Sequence, residues 1–478
     1  MRSLVWFRRD LRVTDNMALA RAAERSTDGV VGLFILTPGQ WRLHDDADAK
    51  VYFWLQNLQS LSQSLATLNI PLRLVSCDRF DDVPKLVCES VAKYDCGNVY
   101  FNAEYEVNER NRDALVVEAL QGKSIQAHAS DDRVIVRPGK IKTKEDRPYQ
   151  VFTPFRRVWD TLACDDMTPL AIPPKQPKLD VKPSKIPTEL TRFDFSKTRP
   201  DLWPAGEAEV EKGLAKFKAK ISDYGSARDI PSISGTSQLS PYLAAGVVSP
   251  RQCLALAIQH RGGESPTIPD ATGPATWVSE LTWRDFYTDV MVNAPRVSMH
   301  QPFKRSTSKI CWRDEPDEFA AWCEGRTGYP IVDAGMRQLN QTGWMHNRLR
   351  MVTAMFLTKH LLIDWRWGEK YFMQKLIDGD LAANNGGWQW SASTGTDSVP
   401  YFRIFNPFSQ SKRFDPDGKY ITRFCPELSD VPAKALHDPE KLAASLGRLT
   451  TKYPQCMVDH KFARQRALDE FKRVGDAA

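Results

Sequence analysis

The stretch Leu376–Trp390 places polar side chains beside indoles, and these residue types could bind a ligand. It reads LIDGDLAANNGGWQW. The carboxylates of Asp378 and Asp380 could accept hydrogen bonds from arginines or from a ligand. The amide of Asn384 can donate and accept but does not ionise near neutral pH. The glycine pair that follows permits close approach of a backbone. This combination favours a site for a large, flat, heteroatom-rich ring over a packed core.

A second candidate site is the segment Thr236–Arg251, TSQLSPYLAAGVVSPR. It contains two Ser-Pro junctions, Ser240-Pro241 and Ser249-Pro250. Serine at the N-cap followed by proline at the first helical position predicts a helix start at each junction. The unpaired amide protons of a helix start suit a diphosphate. Helix capping alone explains the same residues, and both interpretations stay open on the sequence.

The stretch WVSELTWRDFY, Trp277–Tyr287, predicts a helix with an unusual stripe. Trp277, Glu280, Arg284 and Tyr287 lie three or four positions apart and therefore share one face. Charges are rarely buried without a partner. The stripe is either a solvated face with stacked aromatic rings or the wall of a polar pocket.

Two further helices are predicted in Gly328–Met351, the first opened by Pro330 and ended near Gly343. On the second, Asn347 and Met351 lie four positions apart, one above the other. Arginines flank that stripe, and such a basic helix is either a solvated face or a phosphate contact.

The segment Ser398–Phe414, SVPYFRIFNPFSQSKRF, interleaves aromatic residues with Arg403, Lys412 and Arg413. This composition is typical of a surface on which nucleic-acid bases stack. Each of these signals is weak alone, but they occur together in one part of the chain.

The bulk composition is that of an ordinary globular protein. Its 478 residues, 42% hydrophobic and 26% charged, predict two or three domains. Arg8 and Arg9 stand where a signal peptide needs its apolar core, which favours a cytoplasmic protein. Nine cysteines without a Cys-x-x-Cys pair and eight scattered histidines predict no metal site. The net charge of +6 allows a nucleic-acid partner without requiring one.

The first 130 residues alternate strands and helices, which predicts a parallel sheet with helices on both faces. Asp15 is predicted to cap a helix through Glu24, and Tyr52–Leu68 has helical apolar spacing. The Gly-x-Gly-x-x-Gly fingerprint is absent, so the domain is Rossmann-like without an obvious dinucleotide site. The predicted strands are Leu4–Phe7, Val30–Leu36, Leu72–Val75, Asn98–Phe101 and Ile125–Ala127.

Eight prolines from Pro169 to Pro204 predict an extended connector. The apolar spacing from Val210 to Tyr224 then predicts an amphipathic helix that Gly225 ends. The remainder to about residue 470 is predicted to be helical. The predicted domains are 1–130 (α/β), 131–204 (connector) and 205–478 (all-helical).

These motifs resemble the photolyase–cryptochrome family, and within it the class I, folate-type cyclobutane pyrimidine dimer photolyases of bacteria. The resemblance implies an α/β antenna-binding domain, an interdomain connector and a large all-helical domain that binds FAD and DNA. The matching segments are WFRRDLR, YEVNERNRD, TSQLSPYLAAG, WVSELTWRDFY, TGYPIVDAGMRQLNQTGWMHNRLRM, DWRWGEKYF and IDGDLAANNGGWQWSASTGTD.

The resemblance also implies which residues hold FAD. Asn384 would face the reactive ring nitrogen, where an amide can hydrogen-bond without giving up a proton and so favours the reduced anionic flavin. The implied FAD residues are Tyr224, Thr236, Ser237, Gln238, Leu239, Ser240, Trp277, Arg350, Asp378, Gly379, Asp380 and Asn384.

For the lesion and the DNA, the resemblance implies a second set of residues. Glu280 would hydrogen-bond the damaged bases, which must leave the stack to reach the flavin. The implied catalytic residues are Glu280, Asn384, Met351, Trp283 and Trp390. The implied DNA contacts are Arg228, Glu280, Trp283, Asn347, Arg348, Arg403 and Gln410.

Two other sets complete the prediction. Trp312, Trp365 and Trp388 would relay an electron from the surface to photoexcited oxidised flavin; three core tryptophans are the competing interpretation. His44, Asn108 and Glu109 match residues that contact a methenyltetrahydrofolate antenna. Met299 stands where the family pattern has a lysine, which removes a cation that could meet the acidic tail of the folate.

The implied reaction is light-dependent DNA repair by a carbon–carbon lyase. Photoexcited reduced FAD donates one electron to a flipped-out cyclobutane pyrimidine dimer, both bonds open, and the electron returns. The implied partner is damaged DNA near the nucleoid, with a monomeric protein and no membrane. The alternatives are a cryptochrome-like blue-light signalling flavoprotein, a generic flavin-dependent DNA-binding protein, and a six-four photolyase. The last needs two histidines where Asn347 and Met351 stand.

Overall fold

The computed structural model describes residues 1–163, 168–262, 272–397, 403–449 and 452–475. The chain divides into two compact units. The first unit comprises Met1–Ser222, Ser237–Pro295 and Ile377–Asp380, and the second comprises Asp223–Thr236, Arg296–Leu376 and Leu381–Ala478. The predicted domain boundaries at residues 130 and 204 stay a prediction.

A five-stranded parallel sheet organises the first unit, in the order β3-β2-β1-β4-β5. β1 lies at its centre, where Val5 is opposite Gly32 on β2 and Tyr100 on β4. β2 reads VVGLFIL and is buried along its whole length, as expected where helices cover both faces of a parallel sheet. All five predicted strands are confirmed. They are β1 (Arg2–Phe7), β2 (Val30–Leu36), β3 (Leu72–Ser76), β4 (Cys96–Asn102) and β5 (Gln126–Ser130).

Helices make up most of the remaining regular structure, and the predicted fold class is confirmed. In chain order they are α1 (Met17–Arg25), α2 (Pro38–Leu43), α3 (Asp48–Thr67), α4 (Val83–Tyr94), α5 (Val107–Gln121), α6 (Phe152–Leu162), α7 (Glu207–Lys218), α8 (Tyr224–Ala227), α9 (Ser240–Ala245), α10 (Pro250–His260), α11 (Gly273–Asn293), α12 (Pro316–Glu324), α13 (Pro330–Thr342), α14 (Asn347–Met355), α15 (Trp365–Lys375), α16 (Leu381–Ala392), α17 (Pro407–Phe414), α18 (Lys419–Phe424), α19 (Ala433–Leu436), α20 (Pro439–Leu449) and α21 (His460–Gly475).

Helices begin near Asp15 and at the Ser240-Pro241 junction as predicted, but the predicted N-cap residue is wrong by one position in each. Asn16, not Asp15, caps α1, because the Asp15 carboxylate instead accepts hydrogen bonds from Arg251 at 3.1 Å. Leu239 occupies the N-cap of α9 with helical dihedral angles, so Ser240 already lies inside the helix. The prediction at Ser249 is confirmed, since its side chain forms a capping box with Gln252 at the start of α10.

The helix predicted from Val210 to Tyr224 ends earlier than its apolar spacing suggests. α7 ends at Lys218, and Gly225 lies within the short α8. A turn at Ile221 separates the two, and a Cβ on Gly273 at the start of α11 would meet the Ile221 oxygen at 2.0 Å. The close packing of α11 on this turn explains why α7 ends early. The local apolar spacing gives no information about that contact.

The predicted connector is only partly extended. α6 lies within it, whereas the described residues from 168 to 206 form neither helix nor strand.

Within the described ranges, no helix combines the length and apolarity that a bilayer-spanning segment needs.

The second unit packs α12 to α16 around a core rich in tryptophan. Trp322, Trp365 and Trp388 are each at most 2% exposed within it. Gly343 ends α13 in the left-handed conformation, as predicted.

Candidate functional site

Asn384 on α16 is oriented by α15. Its side-chain nitrogen donates a hydrogen bond of 3.0 Å to the main-chain oxygen of Glu369. A carbonyl oxygen only accepts, so the amide nitrogen must face it. The side-chain oxygen of Asn384 is therefore the atom that can accept a hydrogen bond from a ligand.

Buried amides behind Asn384 fix α16 against its neighbours. Asn385 donates to the Glu369 carboxylate at 2.7 Å and to the Val297 oxygen at 3.2 Å. Gln389 donates to the Asn385 oxygen at 2.8 Å and accepts from the Phe303 nitrogen at 2.7 Å. A network in which each member is bonded holds the neighbouring side chains in one geometry.

The three tryptophans of the predicted relay lie in the second unit and differ in exposure. Trp365 and Trp388 are buried, and Trp312 packs on the same core while remaining partly exposed. A Cβ on Gly368, one turn after Trp365, would meet the Trp388 ring at 2.1 Å. Trp388 therefore packs directly on the backbone of the helix that carries Trp365.

The residue after Trp312 is hydrogen-bonded to the segment that precedes α15. The Arg313 nitrogen donates to the Leu362 oxygen at 2.8 Å, just before α15 begins. The structure thus places the three indoles in or against one hydrophobic core, with exposure highest at Trp312. This gradient fits a relay between surface and core, although the roles themselves remain a prediction.

Polar atoms of the second unit provide a test of whether a cofactor fits. The Trp388 indole nitrogen and the His346 Nε2 are buried and have no hydrogen-bond partner among the described residues. A Cβ on Gly387 would meet nothing within 4 Å. Buried polar atoms are normally hydrogen-bonded. Open space beside α16, together with two such atoms, fits a bound group with hydrogen-bonding edges such as a flavin.

His346 caps α14 and sits among arginines. Its Nδ1 accepts from the Arg348 nitrogen at 3.2 Å. Burial lowers the pKa of His346 to about 4, further lowered by Arg348, Arg350 and Arg228 and opposed by Asp229. The ring is therefore neutral at physiological pH.

Arg348 is held in a fixed position on α14. Its Nη2 lies 2.7 Å from the Asp229 carboxylate, and its guanidinium lies 4.4 Å from the centre of the Phe414 ring. Arg350 donates to the Met345 oxygen at 2.8 Å. Asn347 at the start of the helix is exposed.

Each predicted DNA-binding arginine lies over an aromatic ring of the second unit. The distances to the ring centres are 5.7 Å for Arg228 over Tyr224, 4.4 Å for Arg348 over Phe414 and 5.7 Å for Arg403 over Trp390. Met351 lies 3.8 Å from Arg348 through its sulfur, and the buried side-chain oxygen of Gln410 has no hydrogen-bond partner in the described ranges. Residues 398–402 of the predicted stacking segment lie outside the described residues.

In the first unit, Trp283 on α11 is held by an aromatic partner. Its ring stacks on Phe152 with centres 3.8 Å apart and planes 4° from parallel. Tyr287 packs against the same indole at 5.4 Å. Glu280 lies one turn before Trp283 and is half-buried. The structure therefore brings Glu280 and a rigid indole to neighbouring turns of one helix.

Buried carboxylates anchor α11. Asp285 accepts from the Ile135 and Val136 nitrogens at 2.9 and 3.0 Å and from the Trp159 indole at 2.8 Å. Burial raises the pKa of Asp285 to about 6. Arg284 donates to the Arg133 oxygen at 2.7 Å, and burial lowers its pKa.

These contacts decide between the two interpretations of the stripe on α11. Trp277 is 4% exposed and packs on Phe217 with ring centres 4.8 Å apart. The guanidinium of Arg284 donates its hydrogen bonds to main-chain oxygens. The stripe is therefore not a solvated face.

The segment from Ser237 to Ser240 forms a tight turn before α9. Gln238 has a φ of +53°, in the left-handed region that non-glycine residues rarely adopt. Leu239 is 2% exposed and anchors the turn. Backbone in such a conformation is often retained where a ligand requires it. Thr236 and Tyr224 belong to the second unit.

Asp380 is part of a buried charge network in the first unit. Its carboxylate lies 2.8 Å from Arg133 Nη2, and Arg133 Nη1 lies 3.3 Å from Glu106. Asp378, two residues earlier, is 7% exposed. Both predicted aspartates are thus buried, with Gly379 between them.

The structure brings the three predicted antenna residues together. His44 Nε2 lies 3.0 Å from the Asn108 amide nitrogen and 2.9 Å from that of Gln40. Two donors require that Nε2 accepts, so Nδ1 carries the proton and lies 3.5 Å from the Glu109 carboxyl group. Burial, with repulsion from Glu106, raises the pKa of Glu109 to about 8. Met299 is 54% exposed.

Sequence reasoning missed several residues that position this site. Phe152, Arg133 and Phe414 act through contacts distant in sequence, for which no local signal exists. Glu369 lies in the matching segment DWRWGEKYF, which could have drawn attention to it.

In the part of the chain that the structure describes, no three His, Cys, Asp or Glu side chains are grouped as metal ligands would be.

Comparison with known proteins gives matches along the whole chain. A family model for DNA photolyase matches residues 3–177, and one for the FAD binding domain of DNA photolyase matches residues 277–473. The chain is 45% identical over 480 residues to a deoxyribodipyrimidine photo-lyase of Salmonella typhimurium, covering 99% of each. It is 44% identical over 472 residues to that of Escherichia coli, covering 98% of each. A bacterial class III photolyase of Agrobacterium tumefaciens superposes with a TM-score of 0.87 at 34% identity, over 99% of this chain and 98% of that one.

Proposed function

The chain belongs to the DNA photolyase family, and we propose that its predicted site residues carry out that family's reaction. It binds FAD and catalyses the light-dependent splitting of cyclobutane pyrimidine dimers in DNA. The observation that carries this function is identity of 44–45% extending over nearly the full length of each chain. The predicted family, activity and cofactor are confirmed.

We propose that the residues implied by the resemblance hold FAD. When bound and reduced, it supplies a light-driven electron for the dimer. The strained turn at Gln238 and the buried Asp380 support this assignment. These residues are Tyr224, Thr236, Ser237, Gln238, Leu239, Ser240, Trp277, Arg350, Asp378, Gly379, Asp380 and Asn384.

Asn384 would keep the flavin in its reduced anionic form. With its nitrogen committed to Glu369, the side chain offers an oxygen that accepts from a protonated ring nitrogen. An amide does not ionise in this range, so it would stabilise that proton without exchanging it.

Glu280 would hydrogen-bond the damaged bases, with Trp283, Met351 and Trp390 as the apolar wall. The stacking of Trp283 on Phe152 supports this role, because a fixed ring loses little conformational entropy when a base packs on it. Groups that are oriented before the reaction stabilise developing charge most effectively.

Arg228, Asn347, Arg348, Arg403 and Gln410 would contact the DNA backbone. The arginines are held over aromatic rings, which supports a preformed surface for phosphates. A methenyltetrahydrofolate antenna would bind at His44, Asn108 and Glu109. We also propose that the protein acts as a monomer on nucleoid DNA in the cytoplasm.

Two measurements test this function together. The purified protein should show a flavin absorption spectrum, and blue light should restore dimer-containing DNA when the protein is present. The same assay on six-four lesions should give no repair, because Asn347 and Met351 cannot donate a proton. A flavin-loaded protein that repairs neither lesion would support a signalling role instead.

A further inference from the structure

We propose that a second chain of aromatic rings leads from Trp388 to the surface at Trp367. Electrons would pass along it from Trp367 inward to Trp388 after Trp388 has been oxidised. It would act beside the predicted relay through Trp365 and Trp312. The inference rests on the proposed FAD site and on the predicted relay, in which Trp388 is the indole that gives its electron to photoexcited oxidised flavin. We call this chain the Trp367 branch; it consists of Trp388, Trp322, Phe319 and Trp367.

The rings of the Trp367 branch are in continuous contact. The centres of Trp388 and Trp322 are 6.0 Å apart, with planes at 72°. Trp322 stacks on Phe319 at 5.7 Å, and Phe319 meets Trp367 edge-on at 5.2 Å. These separations are those of aromatic pairs in van der Waals contact. Electron transfer between indoles is fast at such distances, and a ring between two indoles couples them.

The outer two rings of the Trp367 branch are more exposed than the inner two. Trp388 and Trp322 are 2% and 0% exposed, whereas Phe319 and Trp367 pack on the core from its edge and are partly exposed. Trp365 and Trp367 lie two positions apart on α15 and therefore point to different sides of it. One helix thus carries members of both routes.

The indole N–H groups decide where an oxidised state would stay. An oxidised indole is far more acidic than the neutral ring and loses its N–H proton where water or a base can accept it. The Trp322 nitrogen donates to the Thr353 oxygen at 3.1 Å, and a carbonyl oxygen is too weak a base to take the proton. The Trp388 nitrogen is buried without a partner in the described ranges. Trp367, which is partly exposed, can release its proton to water.

Tyr371 is the competing end point, and its surroundings disfavour oxidation. Its ring lies 5.9 Å from Trp322, but its hydroxyl donates to the Asn340 side-chain oxygen at 2.7 Å, and burial raises its pKa. An amide oxygen is too weak a base to take the phenolic proton. The Lys375 ammonium, 5.6 Å from the ring centre, also opposes positive charge on it.

The step balances in electrons and protons. The oxidant would be the light-excited oxidised flavin of the predicted relay, which would take one electron from Trp388. One electron moves from Trp322 to oxidised Trp388, and one from Trp367 to Trp322 across Phe319. Oxidised Trp367 then releases its indole proton to water. Trp388 and Trp322 end unchanged, and Trp367 lacks one electron and one proton.

The experiment begins by cutting the predicted relay with Trp365→Phe in the FAD-loaded protein. We expect part of the photoreduction of oxidised flavin to persist and peptide mass spectrometry after illumination to find oxidation at Trp367. Adding Trp367→Phe should remove most of that residual photoreduction, whereas adding Trp41→Phe in the first unit should not. Phe319→Leu, which removes the bridging ring at the edge of the core, should act like Trp367→Phe.

Loss of all photoreduction in Trp365→Phe alone, or unchanged residual photoreduction in Trp365→Phe/Trp367→Phe, would overturn the Trp367 branch. Each variant should still repair dimers when its flavin is reduced chemically. If the unsubstituted protein, so reduced, fails to repair, the proposed function falls and the inference with it.

Discussion

The side-chain nitrogen of Asn384 donates a 3.0 Å hydrogen bond to the main-chain oxygen of Glu369, fifteen residues earlier in the chain. This contact decides which atom Asn384 offers to a cofactor. It also makes residue 384 sensitive to charge, because a carboxylate in the same place would face a carbonyl oxygen.

We predict that Asn384→Asp lowers the free energy of unfolding by about 1–3 kcal/mol at alkaline pH, since the Glu369 oxygen loses its donor. The loss should shrink at mildly acidic pH, where the new carboxyl group protonates and can donate. Urea unfolding at both pH values measures this. Asn384→Ala serves as the control, because its loss should not depend on pH; equal pH profiles for the two variants would contradict the assigned orientation.

Glu280→Ala should lower the repair yield per absorbed photon while FAD stays bound. Glu280 is half-buried on α11. The buried carboxylates of that helix and the stacking of Trp283 on Phe152 hold the helix in place. Loss of one stabilising hydrogen bond to the lesion predicts a reduction of about tenfold. Repair assays and flavin absorbance on the same samples measure both quantities. Glu280→Gln should retain more activity than Glu280→Ala, and FAD loss in either variant would contradict a role confined to the lesion.

Periodicity and turn chemistry predict much of this fold. The five strands, the end of α13 at Gly343 and the capping box at Ser249 follow from local signals. The predicted N-cap at Asp15 is wrong because the Asp15 carboxylate accepts a hydrogen bond from Arg251, 236 positions away in the chain. Tertiary contacts of this kind leave no mark in the local sequence.

The candidate site, like the fold, is predicted from the sequence only in part. Residue types predict the polar character of Leu376–Trp390, but not that Asn384 faces Glu369 or that Phe152 stacks on Trp283 from 131 positions away. The identity of the cofactor came from resemblance, since composition alone permits any large polar ring. Orientation and support of side chains therefore required the structure.

Arg348→Ala should weaken binding of damaged DNA and reduce the dependence of log Kobs on log salt by about one ion. The Asp229 carboxylate and the Phe414 ring hold this guanidinium in place, so it needs little ordering when a phosphate arrives. Titrations at several salt concentrations measure the slope. Arg326→Ala, in an exposed pair with Glu324, is the matched control and should leave the slope unchanged. An unaltered slope in Arg348→Ala would exclude the phosphate contact.

Trp388→Phe should abolish most photoreduction of oxidised flavin but spare repair by the chemically reduced protein. Trp388 belongs to both the predicted relay and the Trp367 branch, so its loss interrupts each at the same point. Phenylalanine fills most of the space against Gly368 but is far harder to oxidise. Flavin absorbance during illumination measures the effect. Photoreduction at the unsubstituted rate would contradict the role of Trp388 in either route.

His346 should make the second unit sensitive to acid. Its pKa is about 4 in the folded protein against an ordinary value of 6.5, because burial disfavours the charged ring. The unfolded chain therefore binds the proton more readily, and stability is fully present above pH 6.5 and falls as the pH drops toward 4. The difference corresponds to about 3 kcal/mol. His346→Asn retains a side-chain cap for α14 but cannot ionise, so its stability should lose this dependence between the two pH values. Denaturant unfolding across that range measures it, with the exposed His260→Asn as the control for the substitution itself. A parallel decline in His346→Asn and the unsubstituted protein would assign the acid sensitivity to other groups.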